Sequence, residues 1–176
     1  MFDNMFNCDI IQNMKKIITS ILIVAITTVC ASAQSSLKKI YDEEINQLEQ
    51  IDKAVRQASA EGKFVICQVG GNWCRWCLMF ADFIGKDNEI SDLIDKNFVY
   101  IHVNYNPRKP SDETAVKMLK RMANPGRFGY PVLVVLDGKG KVLHTQDSSL
   151  LEEGDGYNRD KVIRFFSNWT PEAVTQ

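Results

Sequence analysis

Apolar and polar residues alternate with the spacing of an amphipathic helix along several stretches of the chain. The longest stretch is Leu37–Ala60, where apolar side chains recur every three or four residues and Glu, Gln, Asp and Lys fill the positions between them. This spacing predicts a helix with one buried face, and Gly62 is expected to end it. Similar patterns predict helices from about Cys74 to Phe83, over Asp87–Lys96, over Asp112–Met122 with Ser111 as its cap, and over Arg159–Trp169 with Asn158 as its cap.

Short apolar runs rich in β-branched residues lie between the predicted helices. Phe64–Val69 and Phe98–Val103 are continuous runs, and such runs are typical of strands buried on both faces. Two further runs, Pro131–Leu136 and Lys141–Thr145, flank Asp137-Gly138-Lys139-Gly140, which is a strong signal for a β-hairpin. The sequence therefore predicts four strands.

The order of these elements indicates the fold class. A connection through a helix makes neighbouring strands parallel, whereas the closing hairpin adds an antiparallel pair. We therefore predict an α/β fold with a central mixed sheet of about four strands flanked by helices. Between the hairpin and the last helix, Leu151–Tyr157 are expected to form a loop.

The first part of the chain has the pattern of a secretory signal peptide. Met14-Lys15-Lys16 begins a basic segment, Ile17–Val29 is an apolar run too short for a comfortable membrane span, and Ala31-Ser32-Ala33 fits a small-residue cleavage site. We expect Met14–Ala33 to be removed, which leaves residues 34–176 as one exported, periplasmic domain with no membrane span.

Two alternatives bear on this N-terminal segment. Residues 1–13 are unusual ahead of a signal peptide because they are acidic, which leaves Met14 as an alternative start of the protein. Lipid attachment at Cys30 is a second alternative, and it is disfavoured because Thr27-Thr28-Val29 lacks the usual leucine and small residue.

The composition of the chain excludes some classes of function. Its 176 residues are 45% hydrophobic and 24% charged, with a formal net charge of -1, which suits one globular domain with an apolar core. A nearly neutral chain has no general electrostatic attraction for nucleic acid or for an anionic membrane surface. We therefore expect neither as a partner, and we expect a monomer.

Three cysteines remain after the predicted cleavage site, and two of them form a CxxC motif. A disulfide scaffold would show several pairs at wider spacings, whereas Cys74 and Cys77 with one further thiol, Cys67, are typical of a redox pair. Cys74 lies at the predicted start of a helix, where free amides and the helix dipole favour a thiolate. Cys77 follows about one turn later, close enough to attack a mixed disulfide.

Two motifs resemble those of the thioredoxin superfamily: Gly71-Asn72-Trp73-Cys74-Arg75-Trp76-Cys77 and Gly129-Tyr130-Pro131. Within it, the chain looks most like exported bacterial proteins with Trp-containing CxxC centres. The resemblance implies a thioredoxin-like fold and a thiol-disulfide oxidoreductase, a protein-disulfide reductase or isomerase. Its partners would be protein thiols or disulfides and an electron donor or acceptor, with no cofactor beyond the Cys74–Cys77 disulfide and no metal.

The resemblance also implies roles for individual residues. Cys74 would be the attacking nucleophile and Cys77 the resolving thiol, while Trp73 would cover the site. Tyr130 and Pro131 would be joined by a cis peptide bond beside Cys74, and the backbone before the proline would pair with the substrate peptide. Whether the Tyr130 side chain contacts substrate or belongs to the core stays open.

The residues around the cysteines depart from thioredoxin itself. Arg75 and Trp76 stand where thioredoxin has Gly-Pro; Trp76 is expected to shape the site, and the Arg75 cation is expected to lower the pKa of Cys74 and make the centre more oxidising. Gln68 stands where thioredoxin has a buried Asp that helps to deprotonate the second cysteine. A neutral amide cannot act as that base, so resolution by Cys77 is expected to be slow or to use water or another group.

Several alternatives remain at this point. Cys67 is expected to be an inert core residue rather than a third redox thiol. Zinc binding by the three cysteines with His102 or His144 is disfavoured because the histidines lack ligand spacing. The CxxC could also be structural in a redox-inactive, thioredoxin-like binding module. The direction of electron flow is undetermined because it depends on the redox potential and the partner.

Overall fold

The computed structural model describes residues 37–109 and 112–175. Its helices are α1 (Gln47–Glu61), α2 (Arg75–Lys86), α3 (Asn88–Asn97), α4 (Glu113–Arg121), α5 (Arg159–Asn168) and α6 (Pro171–Thr175), with 3-10 turns at Pro125–Phe128 and Ser148–Leu151. Its strands are β1 (Phe64–Gly70), β2 (Phe98–Asn104), β3 (Val132–Leu136), β4 (Val142–Asp147), β5 (Glu152–Glu153) and β6 (Gly156–Tyr157).

The four longer strands form one mixed sheet in the order β2-β1-β3-β4. β1 and β2 are parallel, in register from Phe64 opposite Phe98 to Gly70 opposite Asn104. β3 is antiparallel to both β1 and β4. The predicted mixed sheet of about four strands is thus confirmed, with the hairpin on one edge.

Helices cover both faces of this sheet, so its central strand is buried on both sides. The apolar side chains of α2, α3 and α5 pack on the face that carries Ile66, and those of α1 and α4 pack on the face that carries Val65 and Cys67. All residues of β1 after Phe64 are buried. Because each large apolar side chain contributes about 1.5–3 kcal/mol when it is fully buried, these two layers supply the main driving force for folding.

The first helix begins later than its hydrophobic spacing predicts. Residues 37–46 are irregular, and α1 begins at Gln47 after the cap Asn46, whose side chain accepts the N–H groups of Leu48 and Glu49. The prediction of a helix from Leu37 was therefore wrong.

The physical reason is a contact with a residue far along the chain. Oδ1 of Asn72 accepts the backbone N–H groups of Ile40 and Tyr41, at 3.1 Å each, and Nδ2 of Asn72 donates to the Tyr41 carbonyl at 2.8 Å. These bonds satisfy backbone groups that a helix would otherwise pair internally. They hold Tyr41 against the loop that follows β1.

The segment predicted as a loop contains a small hairpin. Glu152 pairs with Tyr157 and Glu153 pairs with Gly156, and the turn uses Gly154 at φ 58°, a value that favours glycine. The loop prediction for Leu151–Tyr157 was therefore wrong in part. The buried ring of Tyr157, which packs against Phe80 at 4.8 Å between ring centroids, holds this hairpin on the domain.

The remaining predicted helices have the expected ends to within about one residue, except that α2 continues past Phe83 to Lys86. Asp112 caps α4, in place of the predicted Ser111, which lies outside the described residues. Asn158 caps α5 as predicted, and α6 was not predicted.

Within the described ranges, no helix has the length and apolar character needed to cross a bilayer. The predicted signal peptide Met14–Ala33 lies outside those ranges.

Candidate functional site

The turn from β1 into α2 places the two cysteines of the CxxC motif at a helix start. Cys74 is the N-cap of α2, in extended backbone conformation, and its sulfur accepts the N–H of Cys77 at 3.1 Å. The two cysteines form a disulfide, with Cα atoms 5.2 Å apart. When this bond opens, the same amide and the helix dipole are positioned to stabilise a thiolate on Cys74.

The two sulfurs of this disulfide differ in accessibility. Cys74 is 6% exposed, whereas Cys77 is fully buried beneath it. An incoming sulfur therefore reaches Cys74 first, and Cys77 can react only within the site.

The two glycines before the motif allow close packing rather than an unusual backbone. A Cβ atom at Gly70 would lie 2.5 Å from Sγ of Cys77 and 3.0 Å from the Tyr41 hydroxyl, and a Cβ at Gly71 would collide with the indole of Trp73. Neither glycine has a positive φ. The tight approach of the disulfide to β1 thus requires a residue without a side chain at Gly70.

An aromatic rim borders the disulfide. Trp73 is 42% exposed, its Nε1 donates to the Tyr105 carbonyl at 2.8 Å, and its ring meets that of Tyr130 edge-on at 5.5 Å between centroids. Tyr130 packs against the cluster that contains both cysteines, and the peptide bond between Tyr130 and Pro131 is cis, as the resemblance implied. The structure therefore brings Trp73 and Tyr130 together beside the cysteines.

The two residues between the cysteines have different surroundings. Arg75 is exposed, whereas Trp76 is partly buried and contributes to two of the apolar clusters. The Trp76 ring meets Tyr157 edge-on at 5.6 Å, and the Tyr157 hydroxyl donates to the Trp76 carbonyl at 3.1 Å. Tyr157 thus supports the motif from the β5–β6 hairpin, and its place in a predicted loop is why the sequence did not reveal it.

Gln68 lies beneath Cys77 at the centre of a buried hydrogen-bond network. Its Nε2 donates to the Tyr41 hydroxyl at 2.6 Å and to the Cys77 carbonyl at 2.9 Å. Its Oε1 accepts the Tyr100 hydroxyl at 2.6 Å. The amide is therefore fully engaged in positioning the residues around it. The sequence pointed to Gln68 but not to the two tyrosines, which come from separate segments.

Burial determines the ionisation of the aromatic groups in this network. It raises the pKa values of Tyr41 and Tyr100 well above the ordinary value for tyrosine. It lowers the pKa of His102, whose ring contacts both tyrosines, to about 4. At neutral pH, all three side chains are therefore uncharged. The buried Nε2 of His102 has no hydrogen-bond partner among the described residues.

The third cysteine belongs to a different environment. Cys67 is a free, fully buried thiol on the opposite face of β1, among apolar residues of α1 and α4. Burial raises its pKa to about 12. Its predicted place in the core is confirmed, and an un-ionised thiol there is a poor nucleophile. In residues 37–109 and 112–175, no three or more His, Cys, Asp or Glu side chains are grouped so that they could hold a metal ion.

Comparison with known proteins connects this geometry to a family. The family model described as "Thioredox_DsbH: Protein of unknown function, DUF255" matches residues 28–163. The chain belongs to this DsbH-like thioredoxin family. A search of curated proteins finds no match.

Solved structures also match this DsbH-like thioredoxin protein. A disulphide isomerase from Xylella fastidiosa Temecula1 is 23% identical, with a TM-score of 0.64, and the match covers 80% of this chain and 100% of that one. A thioredoxin from Thermus thermophilus is 18% identical, with a TM-score of 0.48 over 76% of this chain and 87% of that one. A protein described as "DsbH Oxidoreductase" is 19% identical, with a TM-score of 0.47 over 77% and 88%.

Proposed function

We propose that this protein is an exported thiol-disulfide oxidoreductase that acts on protein disulfides through Cys74 and Cys77. The observation that carries the proposal is the disulfide at the start of α2, in which the more accessible sulfur accepts a helix amide and the buried one lies directly beneath. Membership of the DsbH-like thioredoxin family and the fold shared with a disulphide isomerase support it.

In the reducing direction, the reaction has two exchange steps. The Cys74 thiolate attacks one sulfur of a substrate disulfide, which forms a Cys74–substrate disulfide and releases the other substrate sulfur with the bonding electron pair. The Cys77 thiol then loses its proton to water and attacks the Cys74 sulfur. The Cys74–Cys77 bond forms, and the second substrate sulfur leaves with its electron pair and takes up a proton from water. A separate thiol donor has to reduce the enzyme after each turnover.

The aromatic rim is the proposed contact surface for the polypeptide substrate. Trp73 is among the exposed large apolar side chains of the described chain, and Tyr130 packs against the cysteine cluster. We propose that Trp73 and Tyr130 contact apolar side chains of the substrate while the backbone before Pro131 pairs with its main chain. This arrangement would favour unfolded or extended segments over compact protein surfaces.

The residues between the cysteines set the proposed direction of reaction. Arg75 adds a positive charge next to Cys74 and, together with the helix start, favours the thiolate and so the reduced form. We therefore propose a centre more oxidising than thioredoxin, which suits isomerisation of disulfides. A measured potential at or below the value of about −270 mV typical of thioredoxin would contradict this.

Export is proposed from the N-terminal pattern. We propose that Met14–Ala33 direct the chain to the periplasm and that residues 34–176 form the mature domain. N-terminal sequencing of the secreted protein is expected to begin at Gln34. A mature chain that still starts near Met1 would contradict export by this route. A mature chain with lipid attached to Cys30 would mean that the protein is anchored to a membrane.

Insulin-disulfide reduction tests the activity itself. Wild-type protein with a thiol donor is expected to accelerate the reaction, and Cys74→Ser is expected to abolish that acceleration. Cys67→Ala is the matched control, because it removes a thiol on the other face of the sheet and is expected to retain activity. Equal rates for wild type and Cys74→Ser with every donor would favour a binding module, and stoichiometric zinc in the purified protein would favour metal handling.

A further inference from the structure

The Tyr41 hydroxyl is a buried hydrogen-bond donor that the exchange steps above do not use. The Cys77 carbonyl can only accept, so the Gln68 atom that contacts it at 2.9 Å has to be the amide nitrogen. The same nitrogen lies 2.6 Å from the Tyr41 hydroxyl and donates to it. The Tyr41 oxygen is therefore an acceptor in this bond, and its own hydrogen remains free to be donated elsewhere.

The Tyr41 hydroxyl and the buried sulfur of the disulfide border the same space beside Gly70. Sγ of Cys77 and the Tyr41 hydroxyl lie 2.5 and 3.0 Å from the point that a Gly70 Cβ would occupy, so the missing side chain is what lets them approach each other. Among residues 37–109 and 112–175, no nitrogen or oxygen accepts a hydrogen bond from the Tyr41 hydroxyl. In the disulfide form, no hydrogen bond joins the Tyr41 hydroxyl to Sγ of Cys77 within the described part of the chain, but the two atoms border the same space beside Gly70.

We propose that Tyr41 donates a hydrogen bond to the Cys77 sulfur whenever that sulfur becomes a thiolate, with Gln68 as the positioning residue that orients the hydroxyl. This inference rests on the proposed function and names the group that assists Cys77 in it. A disulfide sulfur is a weak acceptor, whereas a thiolate carries a full charge and forms a much stronger bond. The hydrogen bond therefore forms when the Cys74–Cys77 bond breaks and is lost when that bond forms again.

The same contact serves both directions of exchange. When Cys77 resolves the Cys74–substrate disulfide, its thiol first passes its proton to water, and the Tyr41 hydroxyl lowers the free energy of the thiolate that then attacks Cys74. When a substrate thiolate attacks the Cys74–Cys77 disulfide instead, Cys77 leaves with the bonding electron pair and the hydroxyl stabilises that leaving group. Tyr41 keeps its own proton throughout, so proton and electron balance is unchanged.

The groups around Cys77 explain why a neutral donor is used here. The titratable side chains in its cluster are Tyr41 from residues 37–46, Cys74 from the start of α2 and Tyr130 from the segment before β3. One layer deeper, β2 contributes Tyr100 and His102, which face Tyr41 from the sheet and are uncharged at neutral pH. No carboxylate is among the groups that shift the pKa values of Tyr41 or Tyr100. A hydrogen-bond donor can stabilise the thiolate here without a buried charge of its own.

The test measures the pKa of Cys77 in the full chain carrying Cys74→Ser, since serine removes the partner thiol but keeps a capping oxygen. The NMR shift of the Cys77 Cβ carbon reports its ionisation. Adding Tyr41→Phe is expected to raise the pKa of Cys77 by about one pH unit, a tenfold loss of thiolate at a given pH. An unchanged pKa of Cys77 would overturn the proposal and leave Tyr41 a packing role.

Tyr157→Phe in the same background is the matched control. It also removes a buried tyrosine hydroxyl that bonds to the CxxC segment, but that hydroxyl donates to the Trp76 carbonyl and not to a sulfur. Tyr157→Phe is expected to change thermal stability about as much as Tyr41→Phe does. The pKa of Cys77 is expected to stay the same as in the Cys74→Ser parent. An equal rise of the pKa in both variants would mean that general loosening of the site moves it, which also overturns the proposal.

A second measurement covers the case in which Tyr41→Phe does not fold. In the reduced wild-type protein, the NMR shift of the Tyr41 Cζ carbon is expected to change with the same pH midpoint as that of the Cys77 Cβ carbon. A Tyr41 Cζ shift that does not change over the pH range in which Cys77 ionises would contradict the proposal. Insulin reduction tests the proposed function separately from the role of Tyr41. If no turnover depends on Cys74, the proposed function fails, and the ionisation of Cys77 still decides whether Tyr41 donates to its sulfur.

Discussion

Cys67 and Cys74 are both buried, yet they lie in regions that suit a thiol to opposite uses. Cys67 is in the middle of the central strand, and apolar residues of α1 and α4 surround it. Cys74 lies past the end of that strand, at the start of α2, and its sulfur accepts a backbone amide. Low exposure alone therefore does not make a cysteine inert. What differs is whether the backbone offers an unpaired N–H and a helix dipole to the thiolate.

The polar layer under the disulfide extends this contrast to the two faces of β1. Gln68 is the direct neighbour of Cys67, is equally buried, and points to the opposite face, where it joins Tyr41, Tyr100 and the Cys77 carbonyl. One face of the strand is an apolar core, and the other is an organised hydrogen-bond network at the end near the disulfide. The following predictions test this contrast and the packing under the disulfide, from the largest expected effect to the smallest.

The largest expected difference is in thiol reactivity. After reduction, iodoacetamide near pH 7 is expected to modify Cys74 at least roughly 1000-fold faster than Cys67, because burial raises the pKa of Cys67 to about 12 whereas a helix start lowers that of a cysteine below its usual range. Mass spectrometry of the two peptides measures both rates. In denaturant the rates are expected to converge, and comparable labelling in the folded protein would break the comparison.

The next largest effect is a dependence of stability on pH that originates under the site. The folded-state pKa of His102 is about 4 and its usual value is 6.5, so the unfolded chain binds more protons between these values. The resulting contribution is fully present above about pH 6.5 and is lost as the pH falls through 4, by about 3 kcal/mol. Urea unfolding at several pH values, with His102→Phe as reference, measures it. The prediction fails if both proteins lose the same free energy of unfolding.

The two neighbouring residues of β1 give the third comparison. Gln68→Leu leaves the Tyr100 hydroxyl and the Cys77 carbonyl without their buried partner, and we expect a loss of about 2 kcal/mol in the free energy of unfolding. Cys67→Ala removes one sulfur from an apolar layer and is expected to cost about 1 kcal/mol. Denaturant unfolding of the oxidised proteins compares them. A larger loss for Cys67→Ala would mean that the network contributes little to stability.

The smallest expected effect is the difference in stability between alanine substitutions at two glycines, one before the CxxC motif and one after it. Gly70→Ala would place a Cβ 2.5 Å from Sγ of Cys77, and we expect it to destabilise the oxidised protein by about 1–2 kcal/mol. Gly85→Ala in α2 meets no atom within 4 Å and is expected to stabilise by up to about 1 kcal/mol. Thermal unfolding measures both. If Gly70→Ala melted at the same temperature as the wild-type protein, the disulfide would be able to move away from β1 without loss of stability.

Local patterns predicted the framework of the site because each depends on residues close together in the chain. The run Phe64–Val69, the break at Gly70 and the apolar spacing after Cys74 indicated a strand, a turn and a helix, and the structure has all three. The Asp137–Gly140 turn likewise indicated the hairpin of β3 and β4. The cysteines of the CxxC motif were thereby placed at a helix start before any tertiary contact was known.

The surroundings of the cysteines could not be predicted in this way. Tyr41, Tyr100 and Tyr157 reach the site from three separate segments, and nothing in their local sequence distinguishes them from other buried tyrosines. The late start of α1 has the same origin, because hydrophobic spacing favours a helix from Leu37 while Asn72, about 31 residues away, binds the backbone of Ile40 and Tyr41. A long-range hydrogen bond of this kind outweighs a local preference worth only tenths of a kcal/mol per residue.

The sequence by itself therefore determined the α/β order of elements, the mixed sheet and the position of Cys74 and Cys77 between β1 and α2. These features follow from hydrophobic periodicity, turn residues and helix caps, whose energetics act over a few neighbouring residues. Only the tertiary structure decided that Cys77 lies fully buried, with its carbonyl bonded to Gln68 and its sulfur near the Tyr41 hydroxyl. Burial and hydrogen bonding depend on which distant segments meet, and that is determined when the helices pack on both faces of the sheet.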